Sequence, residues 1–437
     1  MTAKISSLAL LPRISSSNIL PIKNRAPWSK LNFSWLRFER FRNGIIPRPN
    51  NPLATYTELQ PRYRPGSPEP SFNLPAYRLS TSDCVVYKGA GLSQTIAAKY
   101  LTPSGPILPV HPQTSEALDV PYVREISQEK ANEIEVSPTA SSRTVYVLGS
   151  EDTPHCLKLH FPFQITRSKR TLDHRTIQHS INVSDTLVRS GVALKSSQLG
   201  FLLETLGISY KSEEDSWGTL VREMTPYPRV KRGQTLLPLF SLYAPDATHP
   251  EDPAVLKQLI EASGQDPADF ILEKVLFPLL ENWVKVFLET GVVLEAHGQN
   301  TCFEYDEETG LGRIVFRDFD TYVHRETLEK NGLSSTGMMT FTNEKTETKP
   351  KGSVFSLLFD QAMRVPFDSI ASFAEKEYGI PQELLQKQCR LFFRCIFPQG
   401  DLYFPDGGKV YNYKDRSVLE PGVKTQLVES DRANPWR

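Results

Sequence analysis

Apolar residues between positions 266 and 291 recur with the spacing of a helix that is buried on most sides. Asp266 stands where an N-cap is expected, Pro267 takes the first helical position, and Gly291 ends the pattern. Pro278, inside the segment, predicts a kink. The apolar positions that define the pattern are Phe270, Ile271, Leu276, Leu279, Leu280, Trp283 and Phe287.

Two other regions alternate with the period of strands. Residues 301–305 and 313–319 are rich in β-branched and aromatic types, and an acidic, glycine-containing turn separates them. Residues 143–148 and 155–161 alternate in the same way about the turn GSEDTP. Two antiparallel hairpins and a long helix predict an α+β protein.

Polar residues with a common chemistry gather between the helix and its hairpin. The loop reads EAHGQN from Glu295 to Asn300, and Asp318 and Asp320 stand at the end of the second strand. Carboxylate and amide oxygens suit Mg²⁺, which leaves its other positions to water and substrate phosphate. His297 can donate to phosphate oxygens or carry a proton. This loop therefore predicts a metal and phosphate site.

Lys158 adds a cation in the other hairpin. Leu157, Leu159 and Phe161 share one face of the strand, so Lys158 projects from the opposite face. A lysine on a strand often binds phosphate as a point charge. Two arginines, Arg143 and Arg170, and three hydroxyls, Ser141, Thr144 and Thr166, lie nearby in sequence. The simplest hypothesis joins both clusters around one triphosphate and its magnesium.

Each of these residues also has a structural interpretation. A lone His near a strand is usually a satisfied structural residue, and an Asp or Asn beside a turn usually caps backbone groups. A kinase-like phosphotransferase is a second interpretation, since protein kinases hold metals with a similar loop. No Asp base follows His297 in the kinase pattern, however, and Asn300 comes too early. A non-catalytic binding protein is the third.

Composition excludes several classes of function. The 437 residues include 50 basic and 50 acidic side chains, so net charge favours neither nucleic acid nor another polyanion as a partner. Five scattered cysteines show no paired metal spacing and indicate a reducing compartment. No apolar run is long enough for a membrane span. The cytoplasm is the expected location.

The N-terminal region differs from the rest. Its first fifty residues contain nine basic residues and one acid, Glu39, and a proline-rich stretch follows. We expect a leader without a fold over residues 1–75, with a mitochondrial targeting peptide as the alternative. Residues 76–245 are expected to form a β-rich nucleotide- and carboxylate-binding region. Residues 246–437 are expected to be mostly helical and to carry the HGQN and RDFD segments.

Taken together, these motifs resemble the IucA/IucC family of siderophore synthetases that work without a nonribosomal peptide synthetase. The resemblance rests on order and spacing from about residue 105 to the C-terminus, and EAHGQN with RDF is its most specific part. Family members usually carry a long N-terminal domain with an H-P-x-H-P-x-x-K type motif, and this motif is not found in residues 1–104. The quoted segments are Ser141-x-Arg143-Thr144, Lys158-Leu159, Ile165-Thr166 with Arg170, the EAHGQN loop, Arg317-Asp318-Phe319, Val110-His111-Pro112 and KTQLVESDRANPW at 424–436.

The resemblance implies a cupped-hand fold of several subdomains whose antiparallel sheets form a nucleotide palm, and dimers are common in the family. It implies a ligase that uses ATP and Mg²⁺ to adenylate a carboxylate, usually citrate or a related polycarboxylic acid, and then joins it to an amine or hydroxyl. By position, the resemblance implies that ATP is contacted by Ser141, Arg143, Thr144, Lys158, Arg170 and His297. Of these, Lys158, Arg170 and His297 would be catalytic. The metal would be held by Glu295, Asn300 and Asp318, and the substrate would be contacted by Thr166, Gln299 and Lys424.

Overall fold

A computed structural model describes most of the chain. The described residues are 34–42, 58–69, 71–117, 130–150, 152–165, 168–211, 216–230, 235–306, 309–344, 350–414, 426–430 and 433–437. Two of the predicted site residues, Thr166 and Lys424, lie outside them. In the described part of the chain, no helix combines the length and apolar character that a bilayer span requires.

Helices accompany sheets whose strands are mostly antiparallel, as the α+β prediction requires. The helices are α1 (Ser34–Phe41), α2 (Gln94–Tyr100), α3 (Pro112–Glu116), α4 (His174–Arg189), α5 (Val255–Ser263), α6 (Pro267–Phe270), α7 (Phe277–Thr290), α8 (Arg325–Lys330), α9 (Ser353–Ser356), α10 (Arg364–Tyr378) and α11 (Gln382–Ile396). The strands are β1 (Phe72–Leu74), β2 (Ala76–Arg78), β3 (Cys84–Lys88), β4 (Leu101–Thr102), β5 (Gly105–Pro109), β6 (Ile134–Pro138), β7 (Thr144–Val147), β8 (His155–Leu159), β9 (Phe161–Ile165), β10 (Ser168–Arg170), β11 (Leu199–Phe201), β12 (Glu204–Tyr210), β13 (Trp217–Glu223), β14 (Thr235–Pro238), β15 (Val292–Val293), β16 (Thr301–Asp306), β17 (Leu311–Phe316), β18 (Tyr322–His324), β19 (Thr340–Phe341), β20 (Val410–Lys414) and β21 (Gln426–Ser430).

Two sheets carry the site. A seven-stranded sheet has the order β1-β6-β7-β8-β13-β12-β3, and all its pairs are antiparallel. Helix α4 packs across it, where Gly207 and Gly218 let Ile177 approach the strand backbone. The second sheet has the order β11-β17-β16-β14, with β11 parallel to β17. Both predicted hairpins, β7–β8 and β16–β17, are confirmed.

The predicted helix is confirmed at both ends but differs in its interior. The Asp266 side chain accepts hydrogen bonds from the backbone of Ala268 and Asp269, and Gly291 ends the helix with a left-handed conformation. A π-helical segment, Ile271–Leu276, lies directly before Pro278. Proline has no backbone N–H, so the carbonyl four residues before it loses its usual hydrogen bond. The wider turn of a π-helix accommodates this loss.

The expected leader is wrong for part of its length. Helix α1 lies within it and is docked on the rest of the chain, with Phe38 and Glu39 buried. Arg37 forms an ion pair with Asp246 at 2.9 Å, and Arg40 donates to the backbone oxygen of Ser67 at 2.6 Å. A basic, proline-rich composition predicts an unfolded segment, whereas α1 is held in place by partners far away in sequence.

No boundary at residue 245 divides the observed packing. Strands β11 and β14 come from before that residue and pair with β17 and β16, which come after it. The largest hydrophobic cluster likewise runs from Phe38 to Trp436 and includes Phe201, Trp283 and Phe316. The two regions expected from the sequence therefore share one sheet and one core.

Candidate active site

Strands β7 and β8 and the EAHGQN loop meet around one small pocket. It has a volume of about 310 Å³. Ten of the twelve predicted site residues line it, namely Ser141, Arg143, Thr144, Lys158, Arg170, Glu295, His297, Gln299, Asn300 and Asp318. The remaining two, Thr166 and Lys424, are those outside the described residues.

Lys158 is the most buried cation of the pocket. Its side chain is 2% exposed, and Nζ donates to Oδ1 of Asp318 at 2.7 Å. Oδ2 of Asp320 lies 3.8 Å from the same nitrogen. Burial of a lysine to this degree is costly unless an anion lies nearby, and Asp318 is that anion. The prediction that Lys158 projects from its strand toward the second cluster is therefore correct in geometry.

Asp318 is held by a buried network that sequence reasoning missed. Arg222 on β13 lies 3.5 Å from Asp318 Oδ2 and donates to Glu204 Oε1 on β12 at 2.7 Å. The other oxygen of Glu204 accepts from the backbone of Phe319 at 3.3 Å. Two charged residues within otherwise apolar strands were the available signal, since such residues are costly to bury unpaired.

This network shifts the ionisation of Asp318. Burial alone would raise the pKa of the Asp318 carboxyl, but Lys158 and Arg222 outweigh burial and hold that pKa well below its usual range. Burial similarly opposes the charge on Arg222, and the carboxylates of Glu204 and Asp318 leave the pKa of Arg222 raised. Asp318 is therefore a fixed negative charge at neutral pH.

Backbone strain is concentrated at the same pocket. Ser142 and Asp318, with φ of 66° and 70°, are the two non-glycine residues with positive φ in the described part of the chain. Residues in the left-handed region are uncommon and persist where their surroundings hold them. The loop around Ser142 is held by Ser141 Oγ, which accepts from the Thr144 backbone at 3.0 Å.

His297 has a defined tautomer. Its Nδ1 accepts from the backbone nitrogens of Gln299 and Asn300, at 3.1 and 3.2 Å. The neutral ring therefore carries its proton on Nε2, which is left as a donor. The EAHGQN loop thus fixes the imidazole with its own backbone.

Burial in the pocket shifts the pKa values of Arg143 and Glu295. Desolvation lowers the pKa of Arg143 to about 10, against the opposing effect of Asp318. Arg143 Nη1, just before β7, also donates to the backbone oxygen of Arg170 in β10 at 2.7 Å. Desolvation raises the pKa of the Glu295 carboxyl, and the neighbouring Asp318 and Asp320 add to that rise.

A larger cavity of about 920 Å³ adjoins the pocket. The two share Glu295, His297, Gln299 and Asp320 in their walls. Its walls also include four residues of the π-helical segment Leu357–Met363, together with aromatic side chains. π-Helical turns often occur at functional sites. Its remaining lining residues include Phe240, Tyr243, Tyr322, Val365 and Ser369.

The predicted metal ligands include only two carboxylates. Among the described residues, no group of three or more His, Cys, Asp or Glu side chains is close enough to hold a metal ion. Glu295, Asn300 and Asp318 nevertheless supply hard oxygen donors to one pocket, and Asp320 adds another carboxylate. This donor set fits Mg²⁺, which takes few protein ligands and completes its shell with water and substrate oxygens.

Comparison with known proteins gives two family matches. The model of the family described as IucA / IucC family matches residues 85–244, upstream of the start at about 105 that the motifs indicated. The model described as ferric iron reductase FhuF-like transporter matches residues 272–391. Between them, the two matches include all ten pocket residues named above.

Among curated proteins, the chain is similar to citrate ligases. It is 32% identical over 239 residues to an L-2,3-diaminopropanoate–citrate ligase of Staphylococcus aureus, covering 49% of this chain and 39% of the relative. It is 23% identical over 235 residues to a spermidine-citrate ligase of Bacillus anthracis, covering 48% and 37%. The chain thus matches well under half the length of either relative.

Solved structures share the fold. The petrobactin biosynthesis protein AsbB of Bacillus anthracis superposes with a TM-score of 0.68 at 17% identity, covering 92% of this chain and 75% of that one. ATP-bound aerobactin synthetase IucA of Klebsiella pneumoniae gives 0.63 at 16% identity, covering 86% and 71%. The family match over residues 85–244, the relatives and the shared fold agree, and together they confirm the resemblance to the IucA/IucC family.

Proposed function

We propose that the protein is an ATP-dependent ligase that adenylates a carboxylate, citrate or a related polycarboxylic acid, and condenses it with an amine or hydroxyl in siderophore or related secondary-metabolite biosynthesis. The relatives support this proposal, because two of them are named as ligases of citrate with diaminopropanoate or spermidine. A structural neighbour described as ATP-bound supports the choice of nucleotide.

The observation that carries the proposal is the charge balance of the small pocket. Three cations, Arg143, Lys158 and Arg170, share it with three carboxylates, Glu295, Asp318 and Asp320. A bare polyanion would be repelled by the carboxylates, and a bare metal ion by the cations. A triphosphate bound to magnesium would match both sets of charges, because its phosphate oxygens would contact the three cations and the metal would contact the carboxylates.

The chain's own residues would act on two steps. First, a carboxylate oxygen attacks the α-phosphorus, the bond to the bridging oxygen breaks, and pyrophosphate leaves. Lys158 and Arg170 would neutralise charge that develops there, and the Nε2 proton of His297 would be donated to a phosphate oxygen. Then the amine attacks the acyl carbon, loses a proton, and AMP leaves.

Glu295, Asn300 and Asp318 would hold the magnesium ion, which would neutralise phosphate charge when bound. The arrangement makes Asp318 a shared anion, because Lys158 already donates to one of its oxygens. The second oxygen faces Arg222 at 3.5 Å, longer than a hydrogen bond, and is the better placed to accept a metal. Glu204 and Arg222 would keep that oxygen oriented, as outer partners of metal ligands do.

The larger cavity adds the volume needed to bind ATP, the carboxylate and the amine or hydroxyl together. A volume of 310 Å³ lies at the lower limit for a ligand pocket, whereas the adjoining 920 Å³ lies near its upper limit. The reacting groups would meet at the shared wall of His297 and Gln299. Gln299 would contact the carboxylate substrate there, and Thr166 and Lys424 remain further candidates for that role.

A product assay tests the proposal. The purified protein is incubated with ATP, MgCl₂ and citrate, with and without a panel that contains diaminopropanoate, spermidine and other amines. We expect AMP and pyrophosphate in equal amounts, released only when citrate, magnesium, nucleotide and an accepted amine are present together. ADP as the product would instead support a kinase-like phosphotransferase. Nucleotide binding without turnover on any acid would support a non-catalytic family member.

A further inference from the structure

Helix α1 places a fully buried carboxylate directly behind the pocket. Glu39 is 0% exposed, although its helix lies upstream of both segments matched by family models. One of its oxygens lies 2.6 Å from Nη2 of Arg317, and the other accepts from the backbone nitrogen of Ala140 at 3.1 Å. Ala140 and Arg317 are the immediate neighbours of Ser141 and Asp318 in sequence.

Arg317 extends this contact to the third segment of the pocket. Its Nε donates to the backbone oxygen of Gln299 at 2.7 Å. Its backbone nitrogen donates to the backbone oxygen of Asn300 at 2.9 Å. Its guanidinium is also 6.0 Å from the ring centre of Trp35, one turn before Glu39 on α1. Arg317 is only 6% exposed. A guanidinium buried so deeply needs an anion, and Glu39 is its ion-pair partner.

We propose that Glu39 is a positioning residue of the site: one carboxylate holds the Ser141–Thr144 loop, the EAHGQN loop and the Asp318 segment in register from behind. It touches none of the surfaces that a substrate would reach, and it acts through Ala140 and Arg317. The two strained residues, Ser142 and Asp318, each lie within two residues of a group that Glu39 holds. Strain of this kind persists only where surrounding contacts fix the backbone.

Helix α1 is anchored to the rest of the chain by residues other than Glu39. Its docking and the contacts that Glu39 makes behind the pocket can therefore be tested separately. Arg37 and Arg42 contact Asp246 at 2.9 and 3.3 Å, and the Ala247 backbone donates to Phe41 at 2.8 Å. None of these contacts reaches the pocket. Loss of Glu39 should therefore leave α1 docked while it releases the loops in front of it.

Glu39→Gln is the informative variant. Glutamine keeps the length of the side chain, and its carbonyl can still accept from Ala140. It removes the negative charge that neutralises Arg317, and it adds a donor to a site where donors already converge. Arg37→Ala is the matched control, because it removes an ion pair from the same helix without touching the pocket.

The first measurement does not depend on the proposed function. Amide hydrogen exchange reports whether the backbones of 140–144 and 299–301 remain protected. We expect faster exchange of both segments in Glu39→Gln, by about tenfold or more, and unchanged exchange there in Arg37→Ala. Equal protection of both segments in Glu39→Gln and in the unsubstituted protein would overturn the inference.

The second measurement rests on the proposed function and follows nucleotide binding and turnover. Calorimetry with Mg²⁺ and a non-hydrolysable ATP analogue should give a dissociation constant raised about tenfold in Glu39→Gln and unchanged in Arg37→Ala. The KM for the amine should stay constant while kcat per folded molecule falls; general destabilisation would remove active molecules without slowing those that remain folded. Adding Arg317→Ala to Glu39→Gln should cost no more than Arg317→Ala alone, because both act through one contact.

The outcomes separate the two claims. If the unsubstituted protein binds no nucleotide, the proposed function fails, and hydrogen exchange alone decides the role of Glu39. If it binds nucleotide and Glu39→Gln matches Arg37→Ala in exchange, affinity and kcat, the positioning role is refuted and the proposed function stands.

Discussion

At the scale of single residues, the site depends on an ion pair between distant parts of the chain. Lys158 and Asp318 are separated by 160 positions, yet their charged groups are 2.7 Å apart. Each is the nearest counter-ion of the other, and each faces the pocket. Replacing either one removes a group that would stabilise charge in the proposed reaction.

We expect Asp318→Ala and Lys158→Ala each to lower kcat by on the order of 10²–10³, the usual loss for one preorganised charge-stabilising group. Initial-rate assays of pyrophosphate release would measure this. Lys195→Ala is the control, because Lys195 pairs with Glu289 at 2.6 Å on the surface, away from the pocket. Unchanged rates in Asp318→Ala and Lys158→Ala would remove these residues from the mechanism.

Buried histidines predict a second residue-scale effect, on stability. Desolvation lowers the pKa of His111 to about 3 and those of His155 and His160 to about 4. The unfolded chain, with ordinary histidines near 6.5, binds more protons than the folded one below that pH. The free energy of unfolding should therefore decrease as pH falls from about 6.5 toward 4.

His111→Asn tests this effect. Asparagine can still cap α3, where Nδ1 of His111 accepts from Gln113, but it cannot take up a proton. We expect lower stability at pH 7, from lost packing against Tyr63 and Phe161, and a pH slope shallower by up to about 1.4 kcal/mol per pH unit. Urea unfolding between pH 4 and 7 measures the slope.

At the scale of elements, the close approach of α4 to the large sheet depends on glycine. A Cβ on Gly207 would come within 2.2 Å of Cγ2 of Ile177. We expect Gly207→Ala to destabilise the protein by about 1–3 kcal/mol, the usual cost of overpacking. Thermal or urea unfolding measures the loss.

A double variant provides the check. Ile177→Ala alone should cost about 2–5 kcal/mol through the cavity it leaves. Combined with Gly207→Ala, it should cost less than the sum of the two single losses, because the added methyl group enters the vacated space. Strict additivity would show that α4 does not pack against Gly207.

The elements also show what the sequence could reveal. Both hairpins and the helix that begins at Pro267 were predictable, because alternation, capping residues and turn residues are local signals. Helix α1 was not, because its docking depends on partners such as Asp246, 209 positions from Arg37. Glu204 and Arg222 were missed for the same reason: each appears as an isolated charge until the fold pairs them. The two clusters of pocket residues were singled out from residue chemistry and strand alternation, and the family motifs then assigned a role to each residue, because motif spacing carries information that one chain's periodicity does not.

At the scale of the whole molecule, the shared sheet makes the two halves of the chain interdependent. Leu199–Phe201 pairs with residues 314–316, and Thr235–Pro238 pairs with residues 302–305. Separation near residue 245 would leave both partners with open strand edges and an exposed core. The same sheet sets β16 and β17 beside the loops of the pocket.

We therefore expect the described body to unfold in one cooperative transition. The probes are two buried tryptophans, Trp217 in the large sheet and Trp283 in the helical part, each retained singly for fluorescence. Their urea midpoints should coincide, as two-state behaviour requires. Separated midpoints would instead support independent domains that meet near residue 245.

Cutting the chain provides the sharper form of this test. Residues 249–252 are exposed, so a break between Pro250 and Glu251 removes few contacts itself. We expect fragments 1–250 and 251–437 to lack cooperative unfolding when they are produced separately, because each contains half of the shared sheet. Produced together, they should recover both near-ultraviolet circular dichroism and binding of the ATP analogue, since the pocket draws Lys158 from one fragment and Asp318 from the other. Independent folding of either fragment would show that the shared sheet is not what unites the site.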